Sequence, residues 1–525
     1  MQPKVIFIGM PGAGKSTVGR LVARRLGVAF RDSDTLVREK TGRSIAEIFA
    51  TAGEKEFRRI ESQAIISALT DFSGILSLGG GAILNPDTRA ALQGQRVFLI
   101  DAADQVLAAR VQKSRTPRPI FTTNAEAEMQ KLRRERMQYY RDLATCTFFS
   151  DSRPAAFVVE KVLETLQSPQ QVLSSAGVNP YEVIIGRNLQ AQITAHGQKY
   201  AAALVVHSPD TARSAERIRE ALLVGAQPTA LWEVPRGEAA KDISTLLQGW
   251  ELAGSNHLGR DGVVISLGGG SVTDLGGFFA ATWLRGVANI NVPTTLLGMV
   301  DAAIGGKTAI NTTSGKNLVG SFTNPRGVYC DLATLDSLPH AEWKSGMGEI
   351  IKCGFIADRH ILELLAAHGT NLFTSTSPAL AEMVGAAIKV KLQIVDADLQ
   401  EKGGRIVLNY GHTFAHALEK ATSYNCRHGE AVAIGCVFAA ALAELSGIAP
   451  SGFTELHRDA FAAVGLPVSY KGARKEELLT FMQVDKKVRH QQLRFVVLED
   501  IEKPRILENP DSALLDGAFQ AIGIV

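Results

Sequence analysis

A short apolar run, Lys4–Gly9, opens directly into Gly9-Met10-Pro11-Gly12-Ala13-Gly14-Lys15-Ser16-Thr17, and Thr17–Leu26 has helical spacing. A strand that turns through glycines into a helix presents backbone N–H groups to an anion, with a lysine and a hydroxyl beside them. About 330 residues downstream stands a second group of chemistry-bearing residues: Glu349 and Lys352, then His412, His416 and His428. No single small-molecule site uses both signatures, so the chain reads as two enzymes fused in one polypeptide.

Its 525 residues exceed one hydrophobic core, and domains of roughly 100–200 residues suggest three structural units. Apolar content of 46% and charged content of 21% suit a soluble globular enzyme. Forty-nine glycines suit α/β folds with many tight ligand loops. A net charge of +3 without a basic run gives no case for nucleic acid. Cys146, Cys330, Cys353, Cys426 and Cys436 show no CxxC spacing, which points to a reducing compartment. The first residues lack signal-peptide features, and no run of 18 apolar residues occurs, so the expectation is a cytoplasmic protein without a membrane span.

Residues 1–167 alternate apolar runs (Val5–Ile8, Val28–Arg31, Ile75–Leu78, Val97–Ile100) with helical segments (Thr17–Leu26, Ile45–Leu69), the pattern of a parallel α/β layer. Residues 168–180 collect Pro, Ser, Gly and Gln without periodicity and read as a linker. A second α/β section, 181–335, has strands at Glu182–Ile185, Ala203–His207, Val263–Leu267 and Asn289–Val292. Residues 336–525 read as mainly helical.

In the first section, Lys15 is placed to reach the β/γ-phosphates of ATP and Ser16 to ligand Mg²⁺. Asp32-Ser33-Asp34 follows the next strand, so one carboxylate can serve the metal and the other a hydroxyl. Gly79-Gly80-Gly81 ends a strand and lets a substrate approach the backbone. Arg58 and Arg136, on separate helices, are candidates for a carboxylate clamp, and Arg115–Pro119 reads as a lid. With these features, residues 1–165 resemble shikimate kinase along their length. The resemblance implies that Pro11, Gly12, Ala13, Gly14, Lys15 and Ser16 bind ATP, and that Ser16 and Asp32 form the magnesium shell. Asp34 would activate the shikimate hydroxyl, while Arg58, Arg136 and Gly79–Gly81 bind shikimate. Arg118 is the lid arginine, and Arg110 lies against adenine. Met137 stands where the family usually has proline.

In the second section, Val263–Gly268 runs into Gly269-Gly270-Ser271 and then a helix, which suits a pyrophosphate but lacks the GxGxxG pattern. Further on, Glu401, Arg405, Asn409, His412 and His416 are spaced by four, four, three and four, one stripe on a continuous helix, although Gly403 and Gly404 can delay its start. A carboxylate with two imidazoles is a catalytic zinc set, and spacing alone selects His412 and His416 as the imidazole pair.

Residues 181–525 resemble 3-dehydroquinate synthase. The matching text includes Gly268–Asp274, Pro293–Leu297, Asp301–Lys307, Gly315–Asn317, Gly346–Lys352, Asn409–His416 and Arg427–Glu430. The resemblance makes Glu349, His412 and His428 the ligands of Zn²⁺ or Co²⁺, replacing the pair chosen by spacing. His416 and Glu401 become proton-transfer residues. NAD⁺ would lie on Gly269, Gly270, Ser271, Asp274, Thr294, Thr295 and Lys316, with Glu238 and Lys241 near its ribose. Arg285, Asp301, Lys307, Asn317, Lys352, Lys391, Arg405, Asn409 and Lys486 would meet a phosphorylated sugar acid, for which several cations are suited. Arg285 would serve a neighbouring subunit of a homodimer. Ala341, His207-Ser208-Pro209-Asp210 and Gln491 depart from the family text.

The two resemblances together imply a shikimate-pathway enzyme acting on small molecules. One half phosphorylates the 3-hydroxyl of shikimate; the other converts 3-deoxy-arabino-heptulosonate 7-phosphate to 3-dehydroquinate and phosphate. The rival reading is a metal-dependent NAD polyol dehydrogenase with a nucleotide-sensing N-terminal module.

Overall fold

Val5–Ile8 is buried at every position, as a strand covered on both faces must be. In the computed structural model it is the centre of a five-stranded parallel sheet, in the order Ala29–Asp32, Gly74–Ser77, Val5–Ile8, Val97–Asp101, Cys146–Phe149. The structure describes residues 4–113, 125–151, 154–167, 170–401, 403–472, 474–484 and 493–524. Arg118 with the segment Arg115–Pro119, and Lys486 with Asp485, Lys487 and Gln491, lie outside the described residues.

The chain divides into two compact units. The first comprises Met1–Pro169 together with Arg187–Ala201 and Glu216–Thr229. The later segments belong to it for a packing reason. Ala191 is buried in the same apolar cluster as Val5–Ile8, Arg187 pairs with Glu164 at 3.0 Å, and buried Arg141 donates to the Ala221 carbonyl. This differs from a boundary at 168–180. The helix expected over Ile45–Leu69 runs Ile45–Asp71 and is kinked where Gly53 takes φ +76°.

The second unit comprises Gln170–Gly186, Ala202–Ala215 and Ala230–Val525. A seven-stranded sheet has the order Gln171–Ser174, Glu182–Gly186, Gly327–Asp331, Ala288–Pro293, Val263–Gly268, Ala203–His207, Thr229–Glu233. Its first strand corrects the linker reading: Gln171–Ser174 pairs antiparallel with Glu182–Ile185. A hairpin, Lys307–Thr312 with Gly315–Phe322, was not evident in the sequence. The helical section follows, and it carries the hairpin Arg494–Leu498 with Pro504–Glu508.

His428–Leu445 is the central helix of that section. Its length and composition would suffice to cross a membrane, but 78% of it is buried inside the fold. Apolar residues on all sides suit a helix wrapped by other helices. His457 is buried beside it, its ring stacked 3.6 Å from Phe355. Nδ1 lies 2.8 Å from the Phe453 carbonyl, so it donates; Nε2 then accepts from the Tyr410 hydroxyl at 2.8 Å. Burial lowers this imidazole's pKa to about 3. The unfolded chain protonates His457 near its ordinary value of 6.5, whereas the folded chain keeps it neutral down to about 3. Stability of the second unit therefore falls as pH drops through that window, by about 1.4 kcal/mol per pH unit from this one group. Urea unfolding at pH 4 to 7 should show this slope, and His457→Gln should flatten it.

Candidate active sites of the two units

In the first unit, Gly14 caps the helix Lys15–Leu26 in a left-handed conformation, with φ +93°. Lys15 Nζ donates to the carbonyls of Gly9 and Met10 at 2.9 and 3.0 Å, and the Ser16 hydroxyl lies 3.4 Å from that of Ser77. Asp32 is the cap of the helix Ser33–Thr41, its Oδ1 accepting from Thr35 N at 2.8 Å, and Asp34 sits in the first turn of that helix.

Ser33, unremarked in the sequence, ties this helix to the glycine loop. Its hydroxyl accepts from Gly79 N at 2.9 Å and donates to Glu61 at 3.1 Å. Glu61 in turn pairs with Arg58 at 2.7 Å. Burial raises the Glu61 carboxyl above its ordinary pKa against the pull of Arg58. A side chain at Gly81 would collide with the Arg58 guanidinium, so that glycine lets the arginine lie along the loop. Arg136 donates to the Gly80 carbonyl at 3.1 Å, and the Tyr140 hydroxyl bonds the same oxygen. The Nε atoms of Arg58 and Arg136 are buried without a hydrogen-bond partner. Glu61 carried a sequence signal, being three residues from Arg58 on one helix. Tyr140 carried none.

In the second unit, the helix Gly270–Thr282 follows Val263–Gly268 and is capped by Gly269. Thr294 N donates to the Gly268 carbonyl at 2.9 Å, and Thr295 Oγ1 accepts from Gly298 N at 3.0 Å. Lys241, 2% exposed, bonds Asp274 at 2.7 Å and also Asn317. Burial pushes the Asp274 carboxyl up, against the lowering by Lys241. Ser271 donates to Glu238 at 3.4 Å, and Lys316 Nζ stands 3.6 Å from the centre of the Tyr424 ring.

Lys391 bonds the Asp301 carbonyl at 2.5 Å and its carboxylate. Lys307 pairs with Glu401 at 2.7 Å, and Asn409 donates to Glu401 at 3.4 Å. Burial lowers the Lys307 pKa despite that partner. Arg405 is buried and donates to the Leu399 carbonyl at 3.0 Å. Arg285, with φ +66°, ends the turn Trp283–Arg285.

The stripe expected from Glu401 to His416 is not one helix. Gly404–Asn409 is a 3₁₀ segment, and Gly411 at φ +76° caps a separate helix, His412–Ala421. A residue with a side chain at Gly411 would also meet Cys436 N and Sγ at 2.7 Å. Ligand atoms of Glu349, His412 and His428 lie within 4.8 Å of one another, and the ring centre of His412 is 5.3 Å from that of His416 and 5.4 Å from that of His428. Spacing within one helix could not bring in His428, which stands at the start of another helix, His428–Leu445.

Glu349 Oε1 is buried without a hydrogen-bond partner, 3.4 Å from His412 Nε2 and 3.3 Å from His428 Nε2. Its other oxygen pairs with Lys352 at 2.6 Å, and Lys352 also donates to the Leu408 carbonyl at 2.7 Å. Burial pushes the Glu349 carboxyl up, but Lys352 and the two imidazoles outweigh it and hold it well below the usual range. His412 Nδ1 lies 3.1 Å from the Tyr410 carbonyl, and His428 Nδ1 lies 3.5 Å from Glu419. Each outer nitrogen faces an acceptor, which leaves Nε2 of both rings free to ligate.

A family model of shikimate kinase matches residues 11–167, and models of the N- and C-terminal parts of 3-dehydroquinate synthase match 231–345 and 346–488. The 3-dehydroquinate synthase of Streptomyces avermitilis is 47% identical over 350 residues, covering 66% of this chain and 96% of that protein. The chain belongs to the 3-dehydroquinate synthase family. The Thermobifida fusca synthase is also 47% identical, over 344 residues, covering 65% of this chain and 94% of that protein. The remaining N-terminal part is a shikimate kinase domain, so the chain is a bifunctional enzyme of the shikimate pathway. A 2-epi-5-epi-valiolone synthase from Streptomyces hygroscopicus, solved with NAD⁺ and Zn²⁺, shares the synthase fold. It has a TM-score of 0.61 and 24% identity, and covers 65% of this chain and 96% of that one.

The synthase site depends on two helices, His340–Ile356 and His428–Leu445, meeting at Gly429. A methyl group there would collide with the Ser345 carbonyl oxygen. Gly429→Ala should destabilise the synthase unit by about 1–3 kcal/mol through overpacking. Denaturant unfolding checks this, and an unchanged midpoint would show that the helices separate freely.

Proposed function

We propose that the kinase holds ATP phosphates on Pro11–Ser16, with Ser16 and Asp32 in the magnesium shell. Asp34 takes the proton of the shikimate 3-hydroxyl as it attacks, and Arg58, Arg136 and the Gly79–Gly81 backbone hold shikimate. The observation that carries the clamp is the pair of buried, partnerless Nε atoms on Arg58 and Arg136, which a carboxylate would satisfy. Arg118 belongs to the same reading as the lid arginine. Asp34→Asn should lower kinase kcat by about 100-fold or more while synthase turnover stays intact. A full kinase rate in that variant would remove Asp34 as the base.

We infer that the synthase converts 3-deoxy-arabino-heptulosonate 7-phosphate to 3-dehydroquinate and phosphate with NAD⁺ and a divalent ion, Zn²⁺ or Co²⁺. The ion would be held by Glu349, His412 and His428. The fit is good: one carboxylate and two imidazoles, with Glu349 Oε1 lacking a hydrogen bond, form a donor set open to substrate. When bound, the ion supplies charge that eases loss of a hydroxyl proton, and NAD⁺ supplies a reversible hydride acceptor. Gly269–Ser271, Asp274, Thr294, Thr295 and Lys316 position the dinucleotide, with Glu238 and Lys241 near the ribose. Lys307, Lys352, Lys391, Arg405, Asn409, Asn317, Asp301, Arg285 and Lys486 bind the phosphate, carboxylate and hydroxyls of the sugar acid. His416 and Glu401 move protons. The family relationship also supports a homodimer through the synthase part, and five free cysteines support the cytoplasm.

The deciding experiment supplies the heptulosonate phosphate, NAD⁺ and zinc, and follows phosphate release and NADH absorbance together. Phosphate release with no NADH build-up is expected; NADH without phosphate would mean a polyol dehydrogenase. On the same protein, His428→Ala should abolish bound metal, and Glu419→Gln should weaken it about 10–100-fold. Unchanged metal content in His428→Ala would move the site to His416.

A further inference from the structure

One arginine of the first unit lies outside the shikimate kinase match of 11–167 and is built into the nucleotide end of the kinase. Arg217 belongs to the helix Ala212–Val224. Its guanidinium carbon stands 3.9 Å from the centre of the Phe149 ring, and its Nη2 lies 3.5 Å from an Asp151 carboxylate oxygen. Phe149 ends the strand Cys146–Phe149, and the other Asp151 oxygen accepts from Ala103 N at 2.7 Å. Arg217 therefore grips the residue on each side of Ser150.

Ser150 is where this turn meets the phosphate loop. Its hydroxyl lies 3.0 Å from the Ala13 carbonyl oxygen and 3.3 Å from that of Asp101, with one proton to share between them. Arg110 donates to the Ser150 hydroxyl at 2.9 Å, to the Ser150 carbonyl and to the Asp151 carbonyl at 3.1 Å. Movement of the turn would thus displace both the Ala13 loop and Arg110. The Arg217 and Asp151 side chains are only 27% and 22% exposed, so solvent screens the pair less than an ordinary surface pair. A planar guanidinium can lie on a ring and meet a carboxylate at once; an ammonium cannot do both.

We propose that Arg217 is a positioning residue for ATP in the kinase, holding the Phe149–Asp151 turn so that Ser150 and Arg110 keep the nucleotide loop in place. This rests on the reading of Pro11–Ser16 and Arg110 as ATP contacts. The kinase nucleotide site thereby draws on chain beyond the span shared with shikimate kinase.

The test uses the full chain with Arg217→Ala and Arg217→Lys. Arg217→Ala should raise KM for MgATP about 3–10-fold, with kcat within about twofold and KM for shikimate unchanged. The Kd for a fluorescent ADP analogue should rise by the same factor, and Arg217→Lys should fall between alanine and the parent. Unaltered phosphate release by the synthase on the same samples shows that the chain is folded. Parental KM for MgATP and parental ADP affinity in Arg217→Ala would overturn the inference alone. So would a loss confined to kcat and the unfolding midpoint. A parent chain that binds no ADP would overturn the nucleotide-site reading and the inference with it.

Discussion

A carboxylate with 4% side-chain exposure has to be matched by positive charge or become protonated, and Lys352 supplies that charge to Glu349. Lys352 takes one oxygen; the other faces two imidazole nitrogens that arrive from separate helices. The synthase unit is organised around that demand. The helix carrying Glu349 must meet the one that begins at His428, and the contact at Gly429 against the Ser345 carbonyl permits it. The helix that begins at His412 must then start afresh, and Gly411 turns the chain there. A cation among three such donors would replace weak facing contacts by direct bonds. That is why the absence of a hydrogen bond at Glu349 Oε1 says more about function than its burial does.

Legibility in the sequence followed the range of the interaction. The strand, glycine loop and helix at Gly9–Thr17 are local, and both the elements and their order could be read from residue types. So could the parallel layer around Val5–Ile8 and the turn from Val263–Gly268 into Gly270–Thr282. The stripe from Glu401 to His416 looked equally local, yet it failed. Spacing by three and four describes a helix only if nothing breaks it, and Gly411 does. The approach of His428 to Glu349 could not be read from spacing, because it is set by packing between helices. Only the likeness to a known family put the two residues together in advance.

The linker failed for a different reason. Residues 168–180 are polar and glycine-containing, which is typical of linkers, but edge strands tolerate the same composition. Gln171–Ser174 obtains its hydrogen bonds from Glu182–Ile185, a partner that composition does not reveal. Likewise the kinase site was legible in its charged residues and opaque in what orients them. Ser33 and Tyr140 are ordinary residues until the structure shows them bonded to Gly79 N and the Gly80 carbonyl.

The chemistry of the two halves bears on why they share a chain. The synthase releases 3-dehydroquinate, a ketone, whereas the kinase accepts shikimate, so the product of one must be dehydrated and reduced before the other can use it. Direct transfer between the sites has no chemical basis, and neither site needs the other's substrate to complete its own donor set. Each cluster closes locally: Arg58, Glu61 and Ser33 around the glycine loop, and Lys352, His412 and His428 around Glu349. What fusion secures is equal numbers of the two catalysts, and it leaves segments beyond residue 167, such as Arg187–Ala201, free to be recruited into the first unit's core.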